Sequence, residues 1–414
     1  MALGFAAASS ARALDSETFD DFTSVGAGED ARKRPAPLAF DGHSLEPSFA
    51  YKVLDFLTPH AFGAETVGYT DNVLLTPSPS THSFFEKTTI GGRGDVQLEE
   101  HVFSACYRAS ETDYPGLDDR TWLFEQQADA RIDLNFNELQ AHADGFYGRY
   151  GYPSLVQVVG FAPEQAYFAQ MWVEGNWNRI GGKLGFSARR DDFESTGAAF
   201  ALRALDKKTL GVDAQVNFKI FEKLVALAEY DFETDIFDQK TQRDFDAHQV
   251  RAGLNGTLGT KLALSLKFGY TYQQLHGSSA SVQDSRHYSG FNAACAASWQ
   301  ILPELTLSAA YRHDLTFAVG ADYESVDSID LGASLKFGPN DKITARAGFT
   351  WSRQTPDTGS HFDRIQCIAA VSYAIQKWLD IQAYYQYSQG LGNQRFASSG
   401  YDEHRVGLSL GIGF

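Results

Sequence analysis

The sequence predicts an all-β protein: one train of antiparallel strands, about 18 in number, closing on itself up and down. Three observations predict it. Apolar residues recur at every second position in segment after segment. The connections between segments alternate short and long along the whole chain. No run of 18 or more apolar residues exists, so no membrane-spanning helix is encoded. Together these predict a transmembrane barrel of the outer-membrane kind, whose strands alternate between a lipid face and a lumenal face.

Composition agrees. The 414 residues include 37 Gly but only 12 Pro and 2 Met, and 14% are aromatic. High Gly, Tyr and Phe with little Met and Pro favours strands over helices. A mean hydropathy of −0.29 excludes a polytopic helical membrane protein. The formal net charge of −17 argues against a nucleic-acid partner. It fits a membrane barrel if the excess lies in the leader, loops and turns.

The elements follow in order. In "MALGFAAASSARALDSE", Ala11-Arg12-Ala13 fits a signal-peptidase site, so residues 1–13 are expected to be a signal-peptide remnant, although the basic n-region is missing. Residues 14–57 are acidic, contain Pro and lack any period; they read as a flexible periplasmic leader or plug. The barrel occupies 58–414. Its strands are expected near 58–69, 86–98, 99–110, 124–135, 137–150, 165–178, 180–193, 208–220 and 222–234. The second half continues near 245–257, 260–275, 285–300, 303–315, 323–337, 341–353, 361–375, 378–389 and 401–414. Leu262, Leu264, Leu266, Phe268, Tyr270 and Tyr272, alternating with Ala263, Ser265, Lys267, Gly269 and Thr271, show the pattern at its clearest. A miscount of one hairpin gives about 16 or 20 strands, still within the range of such barrels. Short connections such as Asn178–Gly181 and Leu302–Glu304 read as periplasmic turns, and the long ones as outer loops. The first connection is long, so the first strand runs outward. Aromatics gather near both strand ends: Tyr230, Tyr270, Trp351 and Tyr385 by the loops, and Phe136, Trp177, Trp299 and Phe337 by the turns. Two girdles at two lipid–water boundaries produce this pattern.

These features resemble a known family. "ETVGYTDNVLLTPSPS", the train of strands and the tail "YDEHRVGLSLGIGF" are similar to the bacterial outer-membrane putative β-barrel porins (type 2). Gly68-Tyr69-Thr70-Asp71-Asn72 looks like that family's Gly-Tyr-x-x-Asn opening. The resemblance implies a bacterial outer-membrane location and partnership with barrel-assembly machinery, for which the terminal Phe414 looks like the assembly signal. It also allows a role in exopolysaccharide export.

No catalytic constellation stands out: there is no GxSxG, HExxH or P-loop, and the 11 His are scattered. The chain is therefore read as no enzyme, with no catalytic, cofactor-binding or metal residue. Cys106, Cys295 and Cys367 fall in strands as small wall residues. What remains is the lumen. Alternation turns basic Arg251, Lys267, Arg312, Lys336, Arg346 and Arg364 inward, with acidic Asp129, Asp133, Asp144, Glu174, Asp213 and Glu229. Inward acid is richer on strands four to nine, and inward Arg and Lys on strands ten to eighteen. Two arrangements are open: opposed walls with a field between them, or charges paired with neighbouring strands. Loop acids including Glu111, Asp113, Asp235 and Asp238 either hold divalent cations against lipopolysaccharide or are simply solvated.

The expected function is a porin-like channel for passive diffusion of small polar solutes. Alternatives are a conduit for exopolysaccharide export, which needs a track of inward aromatics, and a non-conducting structural barrel. Expected partners are outer-membrane lipid and lipopolysaccharide, the assembly machinery, and small polar solutes or polysaccharide. An oligomer is compatible with this size.

Overall fold

The computed structural model describes residues 57–73, 81–115, 117, 122–150, 164–194, 206–239, 243–276, 287–316, 324–356, 361–392 and 400–413. The expected signal remnant at 1–13, nearly all of the leader at 14–57, and Phe414 lie outside them.

Eighteen strands form. The first nine are β1 (Leu57–Thr70), β2 (Ser83–Leu98), β3 (His101–Asp113), β4 (Trp122–Phe136), β5 (Leu139–Tyr150), β6 (Glu164–Trp177), β7 (Ile180–Phe193), β8 (Lys207–Phe221) and β9 (Leu224–Phe237). The rest are β10 (Asp244–Leu258), β11 (Leu262–His276), β12 (His287–Leu302), β13 (Leu305–Thr316), β14 (Glu324–Phe337), β15 (Ile343–Pro356), β16 (Phe362–Gln376), β17 (Leu379–Gly392) and β18 (Tyr401–Gly413). Each pairs antiparallel with its sequence neighbours, and β1 pairs with both β2 and β18. The sheet therefore has no edge, and every strand satisfies its backbone on both sides.

The strands are long enough to cross a bilayer. A 14-residue strand such as β1 rises about 46 Å at ~3.3 Å per residue, or about 35 Å along the membrane normal at a tilt of about 40°. The apolar band of such barrels is about 25 Å tall, so strand remains beyond it. At a spacing of about 4.8 Å, 18 tilted strands enclose roughly 35 Å between backbones.

The turns show why one end is tight. Asn137 (φ 52°) and Asn178 (φ 56°) supply the left-handed turn residue that Asn tolerates, and Glu99 (φ 54°) adopts it too. At three other hairpins the register shifts at Lys219/Phe221, Gln300/Leu302 and Ala374/Gln376, always beside the turn. A bulge there absorbs one residue and adds local twist.

Exposure runs opposite to that of a soluble protein. Outward Phe84 is 70% exposed and Ile90 62%, whereas inward Arg251 is 2% and Ser409 1%. Inward aromatics lean on wall glycines: a side chain at Gly407 would meet the Tyr384 ring at 2.5 Å. The lumenal face also differs along its length. Near the loops Phe85, Glu164, Phe237, Phe245, Phe362 and Tyr401 are buried; near the turns Arg131, Lys219 and Lys336 are exposed.

Candidate functional site: the lumenal wall

Pairing register places lumenal side chains in rows that no sequence window contains. One row crosses nine strands through Asp133, His142, Trp172, Gly185, Asp213, Asp231, Gln249, Thr271 and Gly290, each the partner of the next. Hydrogen bonds run perpendicular to strands, so in a tilted barrel such a row is oblique to the membrane, shifting about 3 Å per strand. It starts four residues from the periplasmic end of β4 and finishes near the loop end of β12.

The row begins at a buried histidine. His142 Nδ1 lies 2.6 Å from Asp133 and Nε2 2.8 Å from Asp144. Gln170 also donates to Asp144, at 2.5 Å. The His142 ring stacks on Trp172 at 5.0 Å between centroids, and Lys183 Nζ lies 4.9 Å from the Trp172 centroid. With a carboxylate at each ring nitrogen, His142 joins two acids that would otherwise repel.

Further along the wall, Arg251 reaches Asp231 at 2.7 Å and Glu229 at 3.4 Å, and Lys267 reaches Glu229 at 2.8 Å. Lys207 pairs with Asp235 at 2.6 Å, Arg189 with Asp191 at 2.7 Å, and Arg312 with Asp314 at 3.0 Å. Of the residues singled out from sequence, Arg251, Lys267 and Glu229 thus converge, as do Asp133 and Asp144 through His142. Asp213 stands directly opposite Asp231, and Glu174 opposite Lys183. Asp129 is half-buried on β4, Arg346 and Arg364 are half-buried on the far wall, and Lys336 is exposed at the turn end.

Local pairing does not neutralise the wall. On β4–β9 the inward carboxylates are Glu125, Asp129, Asp133, Asp144, Glu164, Glu174, Asp191, Asp213, Glu229, Asp231, Glu233 and Asp235. The inward bases there are Arg131, Lys183, Arg189, Lys207 and Lys219, twelve acids against five cations. Half-way round the ring, β13–β18 present Arg312, Lys336, Arg346, Arg364 and Arg405 against Asp314, Glu324, Asp330, Asp380 and Glu403, five of each. Over the whole of β10–β18, Arg251 and Lys267 bring the inward bases to seven against the same five acids, so an acidic wall faces a mildly basic one. Glu164 and Asp235 join the acidic wall because β6 and β9 extend further toward the loops than expected, and both are inward and buried. Asp235 in particular is fully buried against Lys207 and Thr209, not a loop acid, whereas Asp238 pairs with Arg190 at 3.0 Å and Glu111 and Asp113 lie on the exposed face of β3.

Three of the histidines share a place. On the outward face near the loops, Tyr230 meets His248 at 2.9 Å and Tyr385 meets His404 at 2.8 Å, while Tyr311 and His313 both reach Asp327 at 2.9 Å. At the turn end the exposed rings include Phe136, Trp177, Phe218, Trp299 and Phe337. The outer girdle is thus rich in hydrogen-bonded Tyr and His, and the inner one in Phe and Trp. The three cysteines are half-buried. Among the described residues no group of three or more His, Cys, Asp or Glu is placed to hold a metal.

No curated protein matches this chain in sequence. Similar solved structures include OccK2 (OpdF) of Pseudomonas aeruginosa, with TM-score 0.48 and 10% identity over 86% of this chain and 98% of that one. OccK7 (OpdD) of Pseudomonas aeruginosa has TM-score 0.47 and 10% identity over 87% and 99%. OccAB3 of Acinetobacter baumannii has TM-score 0.45 and 12% identity over 86% and 99%. Residues 60–414 match the family described as "Putative beta-barrel porin 2", and the chain belongs to it, a porin-like outer-membrane channel for small solutes.

Proposed function

We propose that the barrel conducts small polar solutes passively and favours cations over anions. The observation that carries this is the lumenal wall β4–β9, where twelve carboxylates meet five cationic groups. In a lumen walled by low-dielectric protein such an excess raises the local concentration of counter-ions. A planar bilayer tests it. Purified protein in a potassium chloride gradient should give discrete current steps and a reversal potential of the cation-selective sign. An anion-selective or unselective potential would refute the preference. Repeating the recording without residues 14–57 tests the leader as a plug: conductance gained on its removal supports that role.

The inward aromatics do not favour sugar export. Phe146 faces Phe168 on the adjacent strand and Trp172 is covered by His142, while Tyr384 lies against Gly407 far round the ring. The inward rings fall into separate clusters and not one track: Phe146, Phe168 and Trp172 on β5 and β6, Phe237 and Phe245 on β9 and β10, and Phe85, Tyr114 and Tyr384 far round the ring. Phe414 as assembly signal, lipopolysaccharide as the contact of the Tyr–His girdle, and self-association belong to the same proposal, and no catalytic residue is assigned.

A further inference from the structure

A recess of about 280 Å³ opens in the acidic wall, lined from β6 to β13. Its floor is low for a sequence reason. Gln170, Ser187, Gly211, Glu233 and Ala247 are successive partners across β6–β10, so three small side chains interrupt a row of long ones. Gly185 does the same in the next row, and the Asp213 carboxylate leans over it: a Cβ on Gly185 would lie 2.3 Å from Asp213 Oδ1. Asp213 and Asp231 are like-charged cross-strand partners whose carboxylates turn apart, Asp213 over Gly185 and Asp231 toward Arg251. The volume lies just under the range of about 300 to 1,000 Å³ typical of small-molecule sites.

The recess discriminates by charge. Its cationic side chains are engaged with the wall: Lys207 with Asp235, Arg251 with Asp231, Arg312 with Asp314, and Lys183 over Trp172. An incoming anion must compete with these bonds. An incoming cation enters an excess of negative charge, because carboxylates outnumber cationic groups both in the lining and on the wall around it. Gln170, Gln249 and Gln273 add amide groups that hydrogen-bond a polar solute.

We propose that this recess is a transient binding site for small solutes carrying a primary ammonium or guanidinium group, seated between Asp213 and Glu233 on the conduction path. The proposal deepens the channel reading and rests on it. The test uses the full chain in a planar bilayer, with 1,4-diaminobutane as probe and glutarate as the anionic control. Expected are brief interruptions of the current by the diamine and none by glutarate. Asp213→Asn should weaken the block about tenfold, the charge-keeping Asp213→Glu should retain it, and the outward Asp402→Asn should not alter it. Calorimetric titration of the detergent-solubilised protein with the diamine provides a second measurement on the same variants. Steady current untouched by the diamine, or a block equal in Asp213→Asn, overturns the site while leaving the channel standing. Silence under every condition overturns the channel reading, and the proposal with it.

Discussion

Replacing Arg251 by Met tests whether the lumenal ion pairs hold the wall together. Arg251 is 2% exposed and lies 2.7 Å from Asp231 and 3.4 Å from Glu229. Glu229 keeps Lys267 at 2.8 Å, so the loss falls mainly on Asp231. Removing one partner of a buried pair costs about 3–5 kcal/mol. The identity of the residue opposite Asp231 sharpens the estimate, because it is Asp213. Their carboxylates turn apart, so the repulsion is smaller than the ~3 kcal/mol that like charges about 5.5 Å apart feel at an effective dielectric of about 20. Lumenal water lowers the total, so we expect Arg251→Met to cost about 3 kcal/mol. Asp231→Asn added to it removes the stranded charge and should recover about 2 kcal/mol. Urea unfolding of the barrel in lipid vesicles, followed by tryptophan fluorescence, reads both: at a slope of ~3 kcal/mol/M the midpoint falls by about 1 M and then largely returns. A single variant within about 0.5 kcal/mol of the parent, or a double variant less stable than the single, would refute the reasoning.

Three further expectations follow from facing alone. Val216→Lys puts a charge on the lipid face and should cost about 2–4 kcal/mol in the same assay, whereas Gln215→Lys, inward and opposite Glu229, should cost under about 1 kcal/mol; equal costs would show that the faces are misassigned. Cys106 points into the lumen and Cys295 and Cys367 point outward, so a charged methanethiosulfonate reagent applied to the barrel in vesicles should modify Cys106 alone, and modification of Cys295 or Cys367 first would contradict the facing. His142→Ala separates two charge-assisted contacts at 2.6 and 2.8 Å and should lower stability by about 2–4 kcal/mol, with partial recovery in His142→Ala/Asp133→Asn; no recovery would mean that the ring's stacking on Trp172 dominates.

The barrel was legible because each strand separates two environments at a period of two. Lipid outside and water inside write Leu262–Tyr272 as apolar–polar alternation, and the same two solvents act on every strand. Turn rhythm was legible because tight hairpins need Asn, Gly or a bulge at fixed places, as at Asn137 and Asn178. The site was less so. That His142 meets Asp133, Asp144 and Trp172 depends on register between β4, β5 and β6, set by tilt and stagger around the closed ring and not by any local window. Outer-end acids such as Glu164 and Asp235 were lost because charge near a long connection looks like loop. The girdle histidines were missed for a similar reason: His248 and His404 are outward by alternation but not apolar. Their signal was the neighbouring tyrosines, which supply the hydrogen bonds that let an imidazole sit at an interface.

The uneven wall also explains how this fold leaves room for selectivity. A soluble core must balance its charges, because each unpaired one carries a desolvation penalty of several kcal/mol. Here the backbone is satisfied by ring closure and the apolar side chains by lipid, both independently of which charges face inward. The lumenal charges keep water on one side, so an excess of acid on β4–β9 costs far less than it would in a core. It is held in place where it is most concentrated by a few cations, the buried Arg251 and Lys267 and the half-buried Arg189 and Lys207, each bridging to a neighbouring acid. Removing those bridges tests stability; removing Asp213 or Glu233 tests passage. If both kinds of change proved equally destabilising, the separation between scaffold and channel would be wrong, and the acids would be structural.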